Sequence, residues 1–300
     1  MLELFVGFKE KIKEIWGIGV TPPPPLPDGF VDKQQSQLML EVLANVWPKK
    51  EIIGLPGRRG LRFKMGPIYL ELYVCAEEPI LEEFNHPRFI CWQPETRIDK
   101  PAGWHQDWMY LSSQYCVVEL KEKYWEDWSS HAKRHRQKWL RDEACEMVET
   151  NLETFSKAYN RTNKVGKFLR ASFLKTIQLH LDHHFKNVGL FVARRKDDKS
   201  IIGGLAVINY PDVSLSTHAI SFITPEGLKT SVGTGVIDYW YMDCLKRGIK
   251  FLSFGLVWKP GDPDGWRGYS QFKKQFAITL LPYRYQFIKF IRAKKGIDKK

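Results

Sequence analysis

Long apolar runs are missing from this 300-residue sequence: none approaches the roughly 20 residues a helix needs to cross a bilayer, so a helical membrane span is excluded. Cysteine is scarce and scattered. Cys75, Cys91, Cys116, Cys145 and Cys244 stand far apart with no CxxC spacing, which excludes a disulfide framework and a cysteine zinc site and fits reduced thiols in a cytoplasmic protein. The opening residues, MLELFVGFKEKIKEIWGIGV, lack a basic region followed by an uncharged apolar run and do not read as a cleaved signal peptide. No internal repeat is found. Aromatics, by contrast, are plentiful at 14% with 11 Trp, which is far more apolar surface than a disordered chain carries. The length suits one large domain or two modest ones.

Charge is abundant and uneven. Lys and Arg number 46 against 34 Asp and Glu, a net +12. Residues 133–141 (KRHRQKWLR) hold five cations and no acid, and residues 292–300 (RAKKGIDKK) hold five cations and one acid; without these two segments the balance is +3. The surplus is therefore local. That argues against a whole-surface nucleic-acid binder and for cations placed against a phosphorylated donor, a tRNA, or an anionic membrane touched peripherally. A solvated helix face and a frayed tail are the competing reading. Leu4, Phe5, Phe8, Ile12, Ile15 and Trp16 recur near helical spacing with lysines between them, which fits a helix docked on its own domain or lying on a membrane surface.

Pro22 to Pro25 and Pro27 form a stiff extended linker, and residues 33–46 read as a helix. From Leu61 to Val118, short apolar runs broken by Gly and Pro read as strands joined by loops. Residues 122–146 read as the longest helix, with further helices near 151–160 and 168–185. Three strands at 188–195, 201–210 and 214–222 predict an antiparallel meander. A glycine-bearing loop then leads into a helix over 236–248, ended by Gly248, and the strand IKFLSFG follows. The expected fold class is α/β with a mixed sheet.

The loop 229–235 (KTSVGTG) sets Gly233 and Gly235 ahead of a helix. Backbone N–H groups and the helix dipole there can cradle a phosphate, and glycine permits close approach; a structural turn is the competing reading. His180 and His184 lie at i,i+4, a zinc-compatible spacing, but no HExxH glutamate and no cysteine joins them, so no metal is expected. The tryptophans Trp92, Trp104, Trp108, Trp125, Trp128 and Trp139 read mainly as packing, with Gly103-Trp104-His105 as an acceptor-site candidate in a loop.

The meander, glycine loop and helix resemble the GNAT acyltransferase superfamily, whose acyl-CoA loop reads R/Q-x-x-G-x-G/A. Thr230-Ser231-Val232-Gly233-Thr234-Gly235 match it at both glycines, with Thr230 replacing Arg or Gln and Lys229 adjacent. The stretch 117–276 also resembles the Fem-type (FemABX) peptidyltransferases and their BioF2-like acetyltransferase relatives. The pieces carrying this, in order, are VVELKEKYWEDWSSHAKRHRQKWLR, LFVARR with IIGGLAVI, Gly233 to Gly248 with FLSFG, and GYSQFKKQF; Ser253 stands where that family has Asp.

The resemblance implies a tandem GNAT-like fold with a degenerate first half. Residues 1–115 would be that N-terminal half, with its leading helix and proline-rich linker, and residues 116–300 the acyltransferase half. It implies transfer of an activated acyl group, from acyl-CoA such as acetyl-CoA or from aminoacyl-tRNA, onto an amine of a cell-envelope or polysaccharide precursor at the cytoplasmic membrane face. In such folds the carbonyl is polarised where two strands splay, here near Ala219 to Phe222 opposite Ser253 to Gly255. His218, Tyr239 and Tyr241 are the candidate proton carriers, and Lys273 would meet the donor phosphate or the reacting carbonyl. Lys229, Thr230, Gly233, Thr234, Gly235 and Phe222 would bind the cofactor; Arg134, Trp104, Arg267 and Phe272 would bind substrate. A non-catalytic protein of this fold, binding nucleic acid or anionic membrane through its basic segments, is the second reading.

Overall fold

Short strand-forming runs recur before and after a helical middle of this chain, and a computed structural model gathers them into two mixed sheets. It describes residues 27–33, 36, 38–39, 41–42, 50–55, 58–74, 77–81, 84–94, 98–106, 114–162, 167–258, 267–282 and 287–293. The leading helix, the proline run 22–25, Trp108 and the basic tail from 294 lie outside these residues. Among the described residues no helix is long and apolar enough to cross a membrane.

The first sheet takes the order β1-β2-β3-β4-β13-β5. Its strands are β1 (Lys50–Leu55), β2 (Arg58–Met65), β3 (Ile68–Val74), β4 (Arg88–Gln93), β5 (His105–Gln106) and, from the far end of the chain, β13 (Phe287–Ile291). The second takes the order β12-β6-β11-β10-β9-β8-β7. It is built from β6 (Gln114–Glu119), β7 (Cys145–Glu149), β8 (Val188–Arg195), β9 (Ile201–Tyr210), β10 (Leu215–Ile223), β11 (Phe251–Val257) and β12 (Thr279–Pro282).

The two sheets repeat one plan that leaves no trace in the sequence. Each has a three-stranded antiparallel meander, then one parallel neighbour (β3 with β4, β10 with β11), then an antiparallel strand and an outer one; the second sheet adds β7 beside β8. The halves differ in the crossover between the parallel strands. In the second sheet it is the helix α4 (Val232–Lys246); in the first, the described residues of 75–87 form no helix, which is the sense in which that half is degenerate. Nor are the halves consecutive in sequence. β13 closes the first sheet, while β6 spans the 115/116 boundary and belongs wholly to the second.

Helices α1 (Ser130–Leu140), α2 (Leu152–Thr162) and α3 (Lys167–His184) precede the meander, and α5 (Arg267–Lys273) follows β11. The single helix expected over 122–146 does not form. Ser129 caps α1 by accepting a hydrogen bond from Ala132 N (3.1 Å), and Cys145–Glu149 pairs with β8 as an edge strand, a long-range partner that overrides local helical preference. One core lies between the second sheet and α1, α4 and α5, around Trp128, Val236, Trp240, Tyr241, Phe254 and Phe276. Another lies on the opposite face, where Phe155 and Tyr159 of α2 and Ile177 of α3 meet Ile220 and Phe222. Phe30 and Leu38 pack against Tyr115, Phe251 and Leu281 beside it. The first sheet has its own core of Tyr73, Ile90, Trp92, Trp104 and Phe287.

Candidate active site

The parallel pair of the first sheet stays in register for six residues, Tyr69↔Arg88 to Val74↔Gln93. The pair of the second sheet does not. β10 and β11 pair only at Leu215↔Phe251, Ser216↔Leu252 and Thr217↔Ser253, then part as a fork. The cause lies at that level on both strands: β10 shifts register against β9 between His218 and Ile220, and β11 shifts against β6 between Ser253 and Gly255. A bulge strengthens local twist and bends its strand, so two bulges at one level drive the strands apart. Gly255 supplies the positive φ, 75°, that the second bulge needs.

The β10 bulge also swaps which residues face α4. Before it, Ser216 accepts a hydrogen bond from Trp240 Nε1 of α4 (2.7 Å), and His218 lies 6.3 Å from the Trp240 ring. After it, Ile223 lies against Gly233, while Phe222 turns to the opposite face and meets Phe155 at 5.3 Å. Phe222 is thus a core residue under α2 and does not line the cofactor side expected of it.

Helix α5 fits into the fork. Tyr269 Oη hydrogen-bonds His218 Nε2 (2.7 Å), and Lys273 Nζ donates to the carbonyl of Leu256 on the diverging part of β11 (2.6 Å). The Lys273 ammonium also sits 4.5 Å above the Tyr269 ring. Ser270 Oγ accepts from Trp258 N (2.7 Å), which fixes the helix to the end of β11. Surrounding protein holds all three titratable groups away from their ordinary behaviour. Burial pushes Lys273, 4% exposed, down to about 8. His218 is crowded on every side although part of its surface still reaches solvent; burial, and then the Lys273 charge, take it down to about 3. Burial raises Tyr269 above the usual phenol range. Cys116 on β6, beneath the same helix, is pushed up to about 11 by burial and is an inert thiol. A neutral histidine, a phenol and a lysine poised near neutral pH thus share one buried cluster.

The glycines of KTSVGTG lie elsewhere than expected. Helix α4 begins at Val232, so Gly233 and Gly235 stand in its first turn instead of a loop. A Cβ on Gly235 would stand 2.4 Å from the Trp139 ring of α1, and one on Gly233 would stand 2.9 Å from Ile223 and 3.6 Å from Phe272. Close packing against the Trp139 ring calls for glycine at 235, whereas at 233 the near atom is the flexible end of Ile223. Thr230 is spent locally: its hydroxyl donates to Gly227 O (2.9 Å) and accepts from Val232 N (3.2 Å). Thr234 is buried and Lys229 exposed.

Other candidates are dispersed. Tyr239 packs on Phe191 (5.0 Å) with Glu149, Asp243 and Arg247 around it, away from the fork. Tyr241 is deep in the core, its hydroxyl donating to Phe276 O (3.1 Å). Trp104 is a core residue of the first sheet, 2% exposed, with Nε1 donating to Glu78 (2.6 Å), and is no loop platform. Arg267 stacks on Trp258 at 5.3 Å at the start of α5. Phe272, stacked on Tyr269 at 6.3 Å, does reach the fork. Arg134 is exposed on α1, whereas its neighbour Arg136 pairs with the buried Asp238 (2.5 Å). His180 is buried against Tyr210, and burial takes it down to about 4; His184 faces Glu41 at 3.2 Å. Sequence reasoning overlooked Tyr269. The signal was in GYSQFKKQF, where Tyr269 and Lys273 are four apart and share a helix face.

No family model matches the sequence, and no curated protein matches it. Solved structures do. FemX aligns with a TM-score of 0.64 at 11% identity, covering 90% of this chain and 98% of that one. The C-terminal domain of an assigned lysylphosphatidylglycerol synthetase from Agrobacterium fabrum aligns with a TM-score of 0.51 at 10% identity, covering 94% and 92%. The fold is tandem GNAT-like. The fork of its second sheet, with its single parallel pair, is the splayed-strand feature that the sequence resemblance led one to expect.

Proposed function

We propose that this tandem GNAT-like protein is an acyl- or aminoacyltransferase that forms an amide on an amine of a cell-envelope or polysaccharide precursor. The observation that carries the reading is the fork: parted β10 and β11 present backbone groups to a carbonyl, and Lys273, Tyr269 and His218 line the opening. The names of the two aligned proteins, FemX and lysylphosphatidylglycerol synthetase, agree with an aminoacyl group and an envelope acceptor. Between the donors, the Trp139 ring packed on Gly235 favours an aminoacyl ester such as aminoacyl-tRNA over acyl-CoA, whose diphosphate would want that turn open.

The chemistry asks for a placed amine, a polarised carbonyl and a route for one proton. The amine nitrogen attacks the acyl carbon, the C–N bond forms, and the C–O bond to the carrier breaks. Lys273, at about 8, is near enough to neutral pH to take the ammonium proton and pass it to the leaving oxygen. His218 at about 3 is too weak a base for this, so its task moves from proton carrier to holding Tyr269 in place.

The test is transfer by the full chain from aminoacyl-tRNA and from acetyl-CoA to amine-bearing envelope precursors, read as a mass increase. Product from aminoacyl-tRNA that disappears with Lys273→Met supports the reading. A protein inert to both donors, with salt-sensitive binding to nucleic acid or anionic vesicles, would sink it in favour of the binding protein that the exposed, acid-free face of α1 keeps in view.

A further inference from the structure

Thr217 and Ser253 are the last register partners before β10 and β11 part. Their neighbours show which way they face. Leu215 and Phe251, two residues earlier on each strand, both enter the cluster with Tyr115 and Val117, whereas Ser216 between them faces α4. Side chains alternate along a strand, and paired residues of parallel strands share a face. The two hydroxyls therefore stand side by side at the floor of the fork, on neighbouring strands about 4.8 Å apart, facing away from His218 and Lys273. Both are buried, at 5% and 6% exposure.

Among the described residues, neither hydroxyl proton has an acceptor, and Thr217 Oγ1 has no hydrogen-bond partner. Ser253 Oγ accepts from Gly255 N (3.3 Å) and, among the described residues, donates to nothing. A buried hydroxyl without a partner costs about 1–3 kcal/mol, and such groups are rare enough in folded proteins that each calls for an explanation. One such group, Thr217, stands beside the Ser253 hydroxyl, which accepts from Gly255 N but has its own proton free, where the sheet opens; together they present two O–H donors to a single missing acceptor. Thr217 could be Val with no change in shape.

We infer that Thr217 and Ser253 form a two-hydroxyl donor site for the acyl carbonyl oxygen of the donor substrate. The inference rests on the acyl-transfer reading above and adds to it the group that holds the reacting carbonyl. The acyl carbon sits in the fork with its oxygen toward the two hydroxyls and its other face toward α5. As the amine attacks and the C–N bond forms, negative charge grows on that oxygen, and both hydrogen bonds strengthen. The charge returns as the bond to the carrier breaks and its electron pair leaves with the carrier oxygen, or sulfur for a thioester. The hydroxyls keep their protons throughout, and the ammonium proton travels by Lys273 on the other face. Donors aimed at developing charge act mainly on turnover, and losing one lowers kcat on the order of 10²-fold.

Thr217→Val and Thr217→Ser test this in the full chain, with Ser253→Ala beside them, by single-turnover transfer, donor affinity and thermal unfolding. The expected result is a turnover loss on the order of 10²-fold in Thr217→Val, with donor Kd within a few-fold of wild type and an unchanged or higher Tm. Thr217→Ser, which restores the hydroxyl, recovers turnover. Wild-type turnover in Thr217→Val together with a raised Tm would mean an idle orphan group and overturn the inference while leaving the transferase reading intact. A wild-type protein inert to both donors overturns both. Should Ser253→Ala unfold through loss of the Gly255 contact, the Thr217 pair of variants still decides the matter.

Discussion

Replacing Lys273 by Met isolates a single buried ammonium in the fork. At 4% exposure it drops from an ordinary 10.5 to about 8, and each pH unit corresponds to about 1.36 kcal/mol, so the folded state bears about 3 kcal/mol for holding this charge. The sign follows from proton counting. Between pH 8 and 10.5 the unfolded chain binds the proton and the folded chain does not, so stability rises with pH across that window and the penalty is fully present below pH 8. Met fills similar space without charge and has no such slope. Its own cost, the Leu256 carbonyl left without its donor, does not depend on pH. The stability difference between wild type and Lys273→Met should therefore move by about 2 kcal/mol in favour of wild type from pH 7 to pH 10, while all other titrations cancel. Urea unfolding of both proteins at the two pH values measures it. A difference that stays constant would show that Lys273 titrates as it does in water, and the proton-transfer role assigned to it would fall too. Transfer activity should drop at least 10²-fold in the same variant while its fold persists.

Gly235→Ala should lower Tm, because a Cβ 2.4 Å from the Trp139 ring forces overpacking worth about 1–3 kcal/mol against about 1 kcal/mol of gained helix propensity; Trp139→Ala should relieve it. Weakened donor binding at unchanged Tm would instead mean that the glycine faces a ligand. Arg136→Ala strips the buried Asp238 of its cation and leaves only Tyr124 Oη (2.7 Å) beside it, a loss of about 3 kcal/mol that chemical denaturation would report; no loss would mean that solvent reaches the carboxylate. His180 must stay neutral to remain folded, so stability should fall as pH drops from 6.5 towards 4; His180→Leu should flatten that limb of an acid titration, and an unaltered limb would show the ring to be solvated.

The second sheet was legible in the sequence because its signals are local. The strands 188–195, 201–210 and 214–222 are apolar runs bounded by turn signals, and each lies within a residue of β8, β9 and β10. Lys273 was singled out by the resemblance of GYSQFKKQF to the Fem-type pattern, and it lies buried in the fork. What escaped was decided by residues far apart in sequence. Cys145–Glu149 is a strand only because β8 offers it an edge, and β13 finds β4 across nearly two hundred residues. The packing of Gly235 on Trp139, a residue of another helix almost a hundred positions earlier, is equally invisible in KTSVGTG. Phe222 pointed the wrong way because one extra residue at the β10 bulge reverses every side chain after it, and alternation cannot show where such a residue sits.

The same strand plan appears twice, yet chemistry gathers in only one copy, and the reason is visible in the register. β3 and β4 run together without a bulge, and the ionic groups on them are matched: Glu71 accepts from Arg62 (2.8 Å) and Arg88 (3.2 Å) and from the Tyr73 hydroxyl (3.1 Å). At the fork of β10 and β11 the matching is broken by the two bulges, leaving a histidine held neutral, a hydroxyl with no partner among the described residues and, from α5, a buried ammonium. Each of these is unfavourable for folding alone, and such groups persist where the surrounding structure holds them in place. That support comes from both ends of the chain. β6 flanks β11 on one side, and the N-terminal residues Phe30 and Leu38 back the same strands. The C-terminal strand β13, running on from the fork, closes the first sheet. Cutting the chain at 115/116 would split β6 itself and leave β4 an open edge, so the two sheets do not separate at that boundary.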